Sequence, residues 1–415
     1  MIIFPIETVV RELPYKLDLA SGLNGRLNET VVIAPKNICI YLIKILGKNT
    51  IYFDKGYHKG ASEQIYRTIK AKGGIIVSLD EEGAVDYPDW RTLQMRYSKT
   101  LFNYADIVFF WGEKQKKFFE NRLDSSGARI VTSGHPRFFL EKGTSYEKRH
   151  PAESYILINT NMSFGNNLLG EDFVIRNYSE RILNLDELIE FDKSKIELIL
   201  DFIREFRSRS DIPIILRPHP EERESAYKLQ IKDYQVSKSG IANDMIVNSY
   251  NVVHTDCTTA VEAYLLGFRP VSLLPVGFEN FKTVLPRKVS ICFNDVEDAV
   301  ENILDKDEAG VVHDNDLYQW LQNSEDPREK IIGEIIALRN KSPYQTSFIQ
   351  KNISFLIILA IISLARLKEI FFRRDSKPGS IGRAKLEQLN NVFNKSTRNR
   401  KYKVIHKFVN TIVFK

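Results

Sequence analysis

Three carboxylic acids in succession, Asp80, Glu81 and Glu82, stand between an apolar run and Gly83 in the stretch VSLDEEG (77–83). Adjacent like charges repel and are costly to bury, so the stretch is either a solvated acidic turn or a site that needs carboxylates. A carboxylate at a strand end can act as general base toward a sugar hydroxyl, and acidic neighbours would raise its pKa toward a useful range. Gly83 lets the backbone turn sharply.

A second group lies in ILRPHPEE (215–222), where Pro218 and Pro220 bracket His219 and fix its direction. His219 can donate to a phosphate oxygen or support a leaving group, with Arg217 as a bidentate phosphate partner beside it. In HTDCTTAVEAYLLGFRPV (254–271), Thr258 and Thr259 stand where a helix begins, so hydroxyls and free amides together offer an anion site. Glu262 follows on the same end of that helix and can accept from ribose hydroxyls or a base. An ordinary N-cap would explain the threonines equally well. Two loops complete the set. NTNMSFGNN (159–167) offers Asn161 and Gly165 to a phosphate or base, and FDKGYHKG (53–60) offers Lys55, His58 and Lys59 to an acceptor or donor carboxylate. Either can also be a plain exposed loop.

These residues need strands to carry them. Short β-rich runs alternate with amphipathic segments through the first 140 residues: IIFPI, TVVIA, TIYF, GIIVSL, DIVFFW and ARIVTSG. Continuous apolar runs between helical segments describe a parallel sheet covered on both faces. After a polar stretch at 141–152 the pattern restarts with SYILINTN, IPIILRPHP, YQVS, NVVHTD, PVSLLP and VSICF. The reading is two doubly wound α/β domains, 1–140 and 153–345, with a cleft where strand C-termini face each other.

The end of the chain differs in kind. Residues 366–415 hold 14 Lys/Arg against three acids, a net +11, so the remainder carries −5 of the overall +6. The 13 uncharged residues ISFLIILAIISLA (353–365) are too few to span a bilayer, which takes about 20. An apolar helix with a basic flank suits an interfacial anchor, and 350–415 is therefore expected to be an amphipathic basic tail on an anionic leaflet. A C-terminal helix packed back on the first domain is the alternative. Cys39, Cys257 and Cys292 lack metal-ligand or disulfide spacing, and the N-terminal segment has no basic n-region, both of which fit a cytoplasmic chain.

Taken together, EEG (81–83), HP (219–220) and TT (258–259) resemble the acidic-Gly, His-Pro and Ser/Thr motifs of bacterial sialyltransferases and polysialyltransferases, and the wider group of capsule and surface-carbohydrate proteins that includes Kdo and pseudaminic acid transferases. The resemblance covers roughly residues 1–340 in arrangement and matches residues closely only at the three motifs. It implies a GT-B fold of two Rossmann-type domains, and transfer of a nonulosonic acid or Kdo from a CMP-sugar to a surface glycan or lipid-linked acceptor. It also implies a base among Glu81 and Glu82, with His219, Pro220, Thr258 and Thr259 at the nucleotide. The sequence departs from the pattern in having three acids before Gly83 and Thr-Thr for the commoner serines. No cofactor or metal is required for a donor with one phosphate, and no nucleic-acid partner is expected. A CDP-glycerol or CDP-ribitol phosphotransferase, a UDP-GlcNAc 2-epimerase and a non-catalytic capsule-assembly scaffold remain as alternatives.

Overall fold

The computed structural model describes residues 1–83, 86–121, 127–139, 154–180, 182–240, 242–305, 317–322, 324–341, 354–364, 404–408 and 411–414. The chain divides into two compact units, one of Met1–Gly83, Leu93–Phe139 and Tyr318–Lys415, the other of Ala84–Thr92 and Leu140–Leu317.

All six apolar runs of the first unit are parallel strands: β1 (Ile2–Ile6), β2 (Val31–Pro35), β3 (Ile51–Asp54), β4 (Ile75–Leu79), β5 (Ile107–Phe110) and β6 (Arg129–Thr132). Every residue of β1 to β5 is buried, as two covered faces require. Pro5 sits in a central strand without loss because the β1–β3 ladder ends at Ile3↔Tyr52. Helix α1 (Val9–Leu27) joins β1 to β2, α2 (Lys36–Leu46) returns across β1 to β3, and α3 (Ala61–Ala71) joins β3 to β4.

The C-terminal part of the chain corrects two expectations. Helix Pro327–Lys341, assigned above to the second domain, packs along α1 in the first unit. Arg328 reaches Asp18 at 3.0 Å, the Arg339 guanidinium grips both oxygens of Glu29 at 2.5 and 2.7 Å, and Gly22 leaves room for Ile332. The segment read as a basic tail also supplies structure. β14 (Thr411–Phe414) is buried throughout and pairs antiparallel with β2, while β13 (Val404–Phe408) pairs with β14, so the sheet order is β13-β14-β2-β1-β3-β4-β5-β6. A helix at 354–364 buries Phe355, Ile358, Ile361 and Ile362, one stripe of its surface. That stripe fits packing onto protein. The basic residues of 366–403 lie outside the described residues.

The second unit is a six-stranded parallel sheet in the order β12-β11-β10-β7-β8-β9. Its strands are β7 (Tyr155–Asn159), β8 (Ile214–Arg217), β9 (Tyr234–Val236), β10 (Ser249–His254), β11 (Val271–Leu273) and β12 (Ile291–Phe293). Ile156, Ile158, Leu216 and Val253 face Ile199, Phe202, Ile203 and Phe206 of helix Leu185–Arg209, and Leu157 and Val252 face Ala263 and Leu266 on the other side. Each sheet has one place where strand order reverses. In the first it lies between β1 and β3, in the second between β7 and β10, and ligands of open α/β sheets bind outside the strand ends at such points.

Candidate functional site

At the C-terminal edge of the first sheet the three acids have unlike surroundings. Asp80 is buried and lies 3.0 Å from Arg96, with the Glu82 amide donating to it at 2.7 Å. Burial raises its carboxyl above the ordinary range, and Arg96 offsets part of that rise. Glu81, equally buried, accepts from the Tyr15 hydroxyl and lies 3.0 Å from the Lys16 ammonium and 3.5 Å from His135 Nε2. Burial alone would raise Glu81, but Lys16, His135 and Tyr15 outweigh it and hold the carboxyl well below its usual value. Glu82 alone of the three has a substantially exposed side chain, 40%, paired with Arg96 and standing 3.7 Å from Arg11. Against the effect of burial, Arg96 and then Arg11 bring its carboxyl down to about 2. The sequence expectation was a base raised by acidic neighbours; at Glu82 the guanidiniums reverse the sign. Arg96, bridging Asp80 and Glu82, is also what allows like charges to stand side by side.

Gly83 is required for space, not for its turn. A Cβ there would lie 2.9 Å from the Trp111 indole, which donates to the Asp80 carbonyl at 2.8 Å.

His135 is not among the candidates read from the sequence. Its Nδ1 accepts from the Arg137 amide at 3.2 Å, so the neutral ring carries its proton on Nε2, toward Glu81. The signal was available: His135-Pro136 follows β6 much as His219-Pro220 follows β8.

Lys55 is committed internally, to Glu7 at 2.8 Å and Glu12 at 3.1 Å, which leaves little of its charge for an external carboxylate. His58 and Lys59 are exposed, the His58 amide being bonded to Ser62 Oγ at the start of α3. Although much of its surface is exposed, partial desolvation of the ring by the surrounding protein, then Arg96 and Lys36, lower the His58 pKa.

In the second unit Glu222 is the hub. Fully buried, it accepts from the Thr160 hydroxyl at 2.5 Å, the Met162 amide at 2.5 Å and the Tyr227 hydroxyl at 2.6 Å, tying the loop after β7 to the turn after β8. Burial raises its carboxyl in spite of these donors. His219 donates its amide to Thr160 Oγ1 at 3.3 Å, and its Nδ1 accepts from the Glu221 amide at 3.3 Å, which places the neutral ring's proton on Nε2. Pro220 is exposed, its carbonyl accepting from Lys238 at 3.2 Å.

At the strand-order reversal, Asn161 bridges β7 and β10. Its amide donates to Thr255 Oγ1 at 3.2 Å and its side chain to the Asp256 carbonyl at 3.1 Å, while its carbonyl accepts from Lys195 at 2.8 Å. Gly165 does not present a free amide: Asp192 takes it at 3.1 Å. Thr259 is buried with its hydroxyl on the Cys257 sulfur at 3.1 Å, so Thr258, half-buried at the N-cap of Thr259–Leu265, is the more available of the pair. Glu262 is half-buried in the first turn. Strand register lines up Ser272, His254, Asn159 and Arg217 across four neighbouring strands, hence on one sheet face. Arg217 is half-buried, its Nε having no hydrogen-bond partner, and Asn159 is buried with its side-chain amide likewise unpaired among the described residues. Asn159, Asp256, Asp192 and Glu222 were all missed from sequence. Asn159 and Asp256 stand at or just past strand ends, Asp192 inside helix Leu185–Arg209 and Glu222 in the turn after β8, and none of these places announces what the side chain will face.

No protein-family profile matches the chain, and no curated protein matches it. Among solved structures, a putative UDP-N-acetylglucosamine 2-epimerase from Listeria monocytogenes superposes with a TM-score of 0.52 at 13% identity, over 84% of this chain and 99% of that one. The fold is GT-B-like. A complex of S. aureus MnaA with UDP gives 0.50 at 12% identity over 84% and 98%, and the calicheamicin glycosyltransferase CalG4 gives 0.43 at 10% over 83% and 98%. At such identities the likeness concerns architecture.

Proposed function

We propose that this chain is a nucleotide-sugar enzyme whose second unit seats the nucleotide phosphate at the ends of β7, β8 and β10. The observation that carries the reading is the strand-order reversal between β7 and β10, with Asn161 and Thr258 at its rim and the Arg217 guanidinium on the adjoining strand. An Arg fork and a hydroxyl are suited to phosphate oxygens, and His219 can support the departing nucleotide. Charge neutralisation is thereby assigned to side chains and not to a metal.

The first reading of the reaction is epimerisation of a UDP-N-acetylhexosamine. It is supported by architectural likeness to the Listeria protein and to the S. aureus protein seen with UDP. The second is transfer of a nonulosonic acid or Kdo from a CMP-sugar, supported by the acid run and Gly83 at the end of β4 and the His-Pro turn at the end of β8. In that reading Glu82 is the base, and a carboxylate near pKa 2 becomes useful only when Arg96 is drawn to another anion. We further propose a cytoplasmic chain peripheral to the inner face of the membrane, supported by the basic excess of 366–415 and by Leu356 and Leu364, which are 64% and 65% exposed on helix 354–364. No helix among the described residues is long and apolar enough to cross a membrane.

Calorimetry with UDP, CDP and CMP, followed by NMR of UDP-GlcNAc and CMP-sugar incubations, tests the reading. UDP binding with a new C2 epimer supports the first reaction. CMP binding with acceptor-dependent CMP release supports the second, CDP selectivity points to the phosphotransferase, and no nucleotide binding at all sinks the proposal in favour of a scaffold. Arg217→Ala should weaken whichever nucleotide binds by about 10- to 100-fold, the loss of a charge-assisted contact. EDTA should leave binding unchanged.

A further inference from the structure

Helix α2 buries Ile38, Cys39, Leu42 and Ile43 against the first sheet. Its sequence, KNICIYLIKIL, has two large apolar residues more than that packing uses: Tyr41 and Ile45 stand 42% and 56% exposed. Four residues apart, they share one face with the exposed Asn37, Lys44 and Lys48. Lys72, just beyond α3, donates to the Lys44 carbonyl and brings a third ammonium to the same end of the helix.

The charge here is one-sided. α2 contains no acid, and none of Lys44, Lys48 and Lys72 meets a carboxylate among the described residues. An aromatic and an aliphatic side chain ringed by unpaired lysines match the boundary of a bilayer: tyrosine favours the headgroup level, the aliphatic group enters the acyl margin, and ammonium groups meet lipid phosphates. The same face of a second copy would cover the apolar pair but, having no acid in α2, would set like charges against like.

We propose that this face of α2 docks on an anionic lipid surface. The proposal shares only a membrane location with the reading above, is independent of the nucleotide chemistry, and concerns a different surface from the basic tail.

The test uses the full chain and phosphatidylcholine vesicles with and without phosphatidylglycerol. Co-sedimentation with the anionic vesicles is expected, and the combined substitutions Tyr41→Ser, Ile45→Ser, Lys44→Glu and Lys48→Glu should cut partitioning by about tenfold or more. Because the tail can bind by itself, a second measurement follows the helix directly. Tyr41→Trp should add emission, relative to the unsubstituted chain, that brominated phosphatidylglycerol quenches. Absence of binding, binding unaffected by the four substitutions, or added indole emission that stays unquenched in the bound protein would each overturn the proposal. So would an oligomer that the same substitutions dissolve while vesicle binding stays unchanged, which would make the face an interface between copies.

Discussion

Glu81 is the residue on which the first unit's acid tolerance should turn. Its folded carboxyl lies well below the ordinary value, so the stability it contributes is present above an unfolded pKa of about 4.5 and is lost as pH falls toward the folded one. Glu81→Gln should flatten that acid dependence. At neutral pH it should destabilise by about 1–3 kcal/mol, since the charge-assisted contacts of Glu81 are lost while Lys16 keeps Glu12 as a buried counter-ion at 2.6 Å. Urea melts across pH 3–7 would show it, and an unchanged acid slope would remove Glu81 from its structural role. Asp86 behaves oppositely. Buried in the second unit with neither carboxyl oxygen in a hydrogen bond, it is pushed by burial up to about 7. The fold keeps its proton while the unfolded chain gives it up near the ordinary value, so stability declines as pH rises from about 4 toward 7. Asp86→Asn should raise the melting temperature at pH 8 and leave it nearly unchanged at pH 4. Equal shifts at both would show a packing effect. Such individual environments were the least legible part of the sequence. DEEG announces three carboxylates, but nothing in its neighbourhood says that Tyr15 and Lys16 of one helix, Arg96 of another and His135 after a distant strand will divide them.

At the level of elements, the parallel strands were legible as short β-rich runs: all twelve runs from IIFPI to VSICF contain strands, and β1 to β5, buried throughout, are the ones whose runs are most continuously apolar. The hairpin at the end was not. KYKVIHKFVNTIVFK mixes lysines with its apolar residues, the composition of an edge, and in sequence an edge strand resembles an interfacial segment. Helix Pro327–Lys341 was assigned by proximity in sequence to the wrong unit, since Arg339 gives no hint that its carboxylate partner is Glu29. The element itself is testable. Removing residues 404–415 should lower the melting temperature of the first unit and promote aggregation, because it takes away the buried strand β14 and leaves the β2 edge uncovered. Limited proteolysis and light scattering would report it, and an unaltered melt would return the segment to the status of a tail. Gly83→Ala belongs here too. The 2.9 Å approach of Trp111 should make it cost about 1–3 kcal/mol.

For the whole molecule, the two sheets with their strand-order reversals define a GT-B-like architecture, and fold alone does not select a reaction. What nucleotide occupancy should do is general. A ligand bound only by the native state raises the melting temperature in proportion to the logarithm of its concentration, so a titration of UDP against CMP reads selectivity before any turnover is known. If binding is confined to the second unit, protection from hydrogen exchange should concentrate in 159–166, 217–222 and 255–262. Protection spread evenly over both sheets would argue against the assigned site.

The first unit is assembled from segments separated by almost the whole chain, and this has a consequence during synthesis. β1 to β6 emerge early, yet β14 follows some 280 residues after the β6 end at Thr132. At ribosomal rates of about 5–20 residues per second, the free edge of β2 waits on the order of tens of seconds for the strand that covers it. During that interval the nascent chain displays an apolar sheet edge open to any other extended segment, its own or another's. Yield in cells should therefore depend on trigger-factor-like holding activity and on elongation speed more steeply than the stability of the finished protein would suggest, and supplying residues 404–415 in trans as a peptide should lessen that dependence.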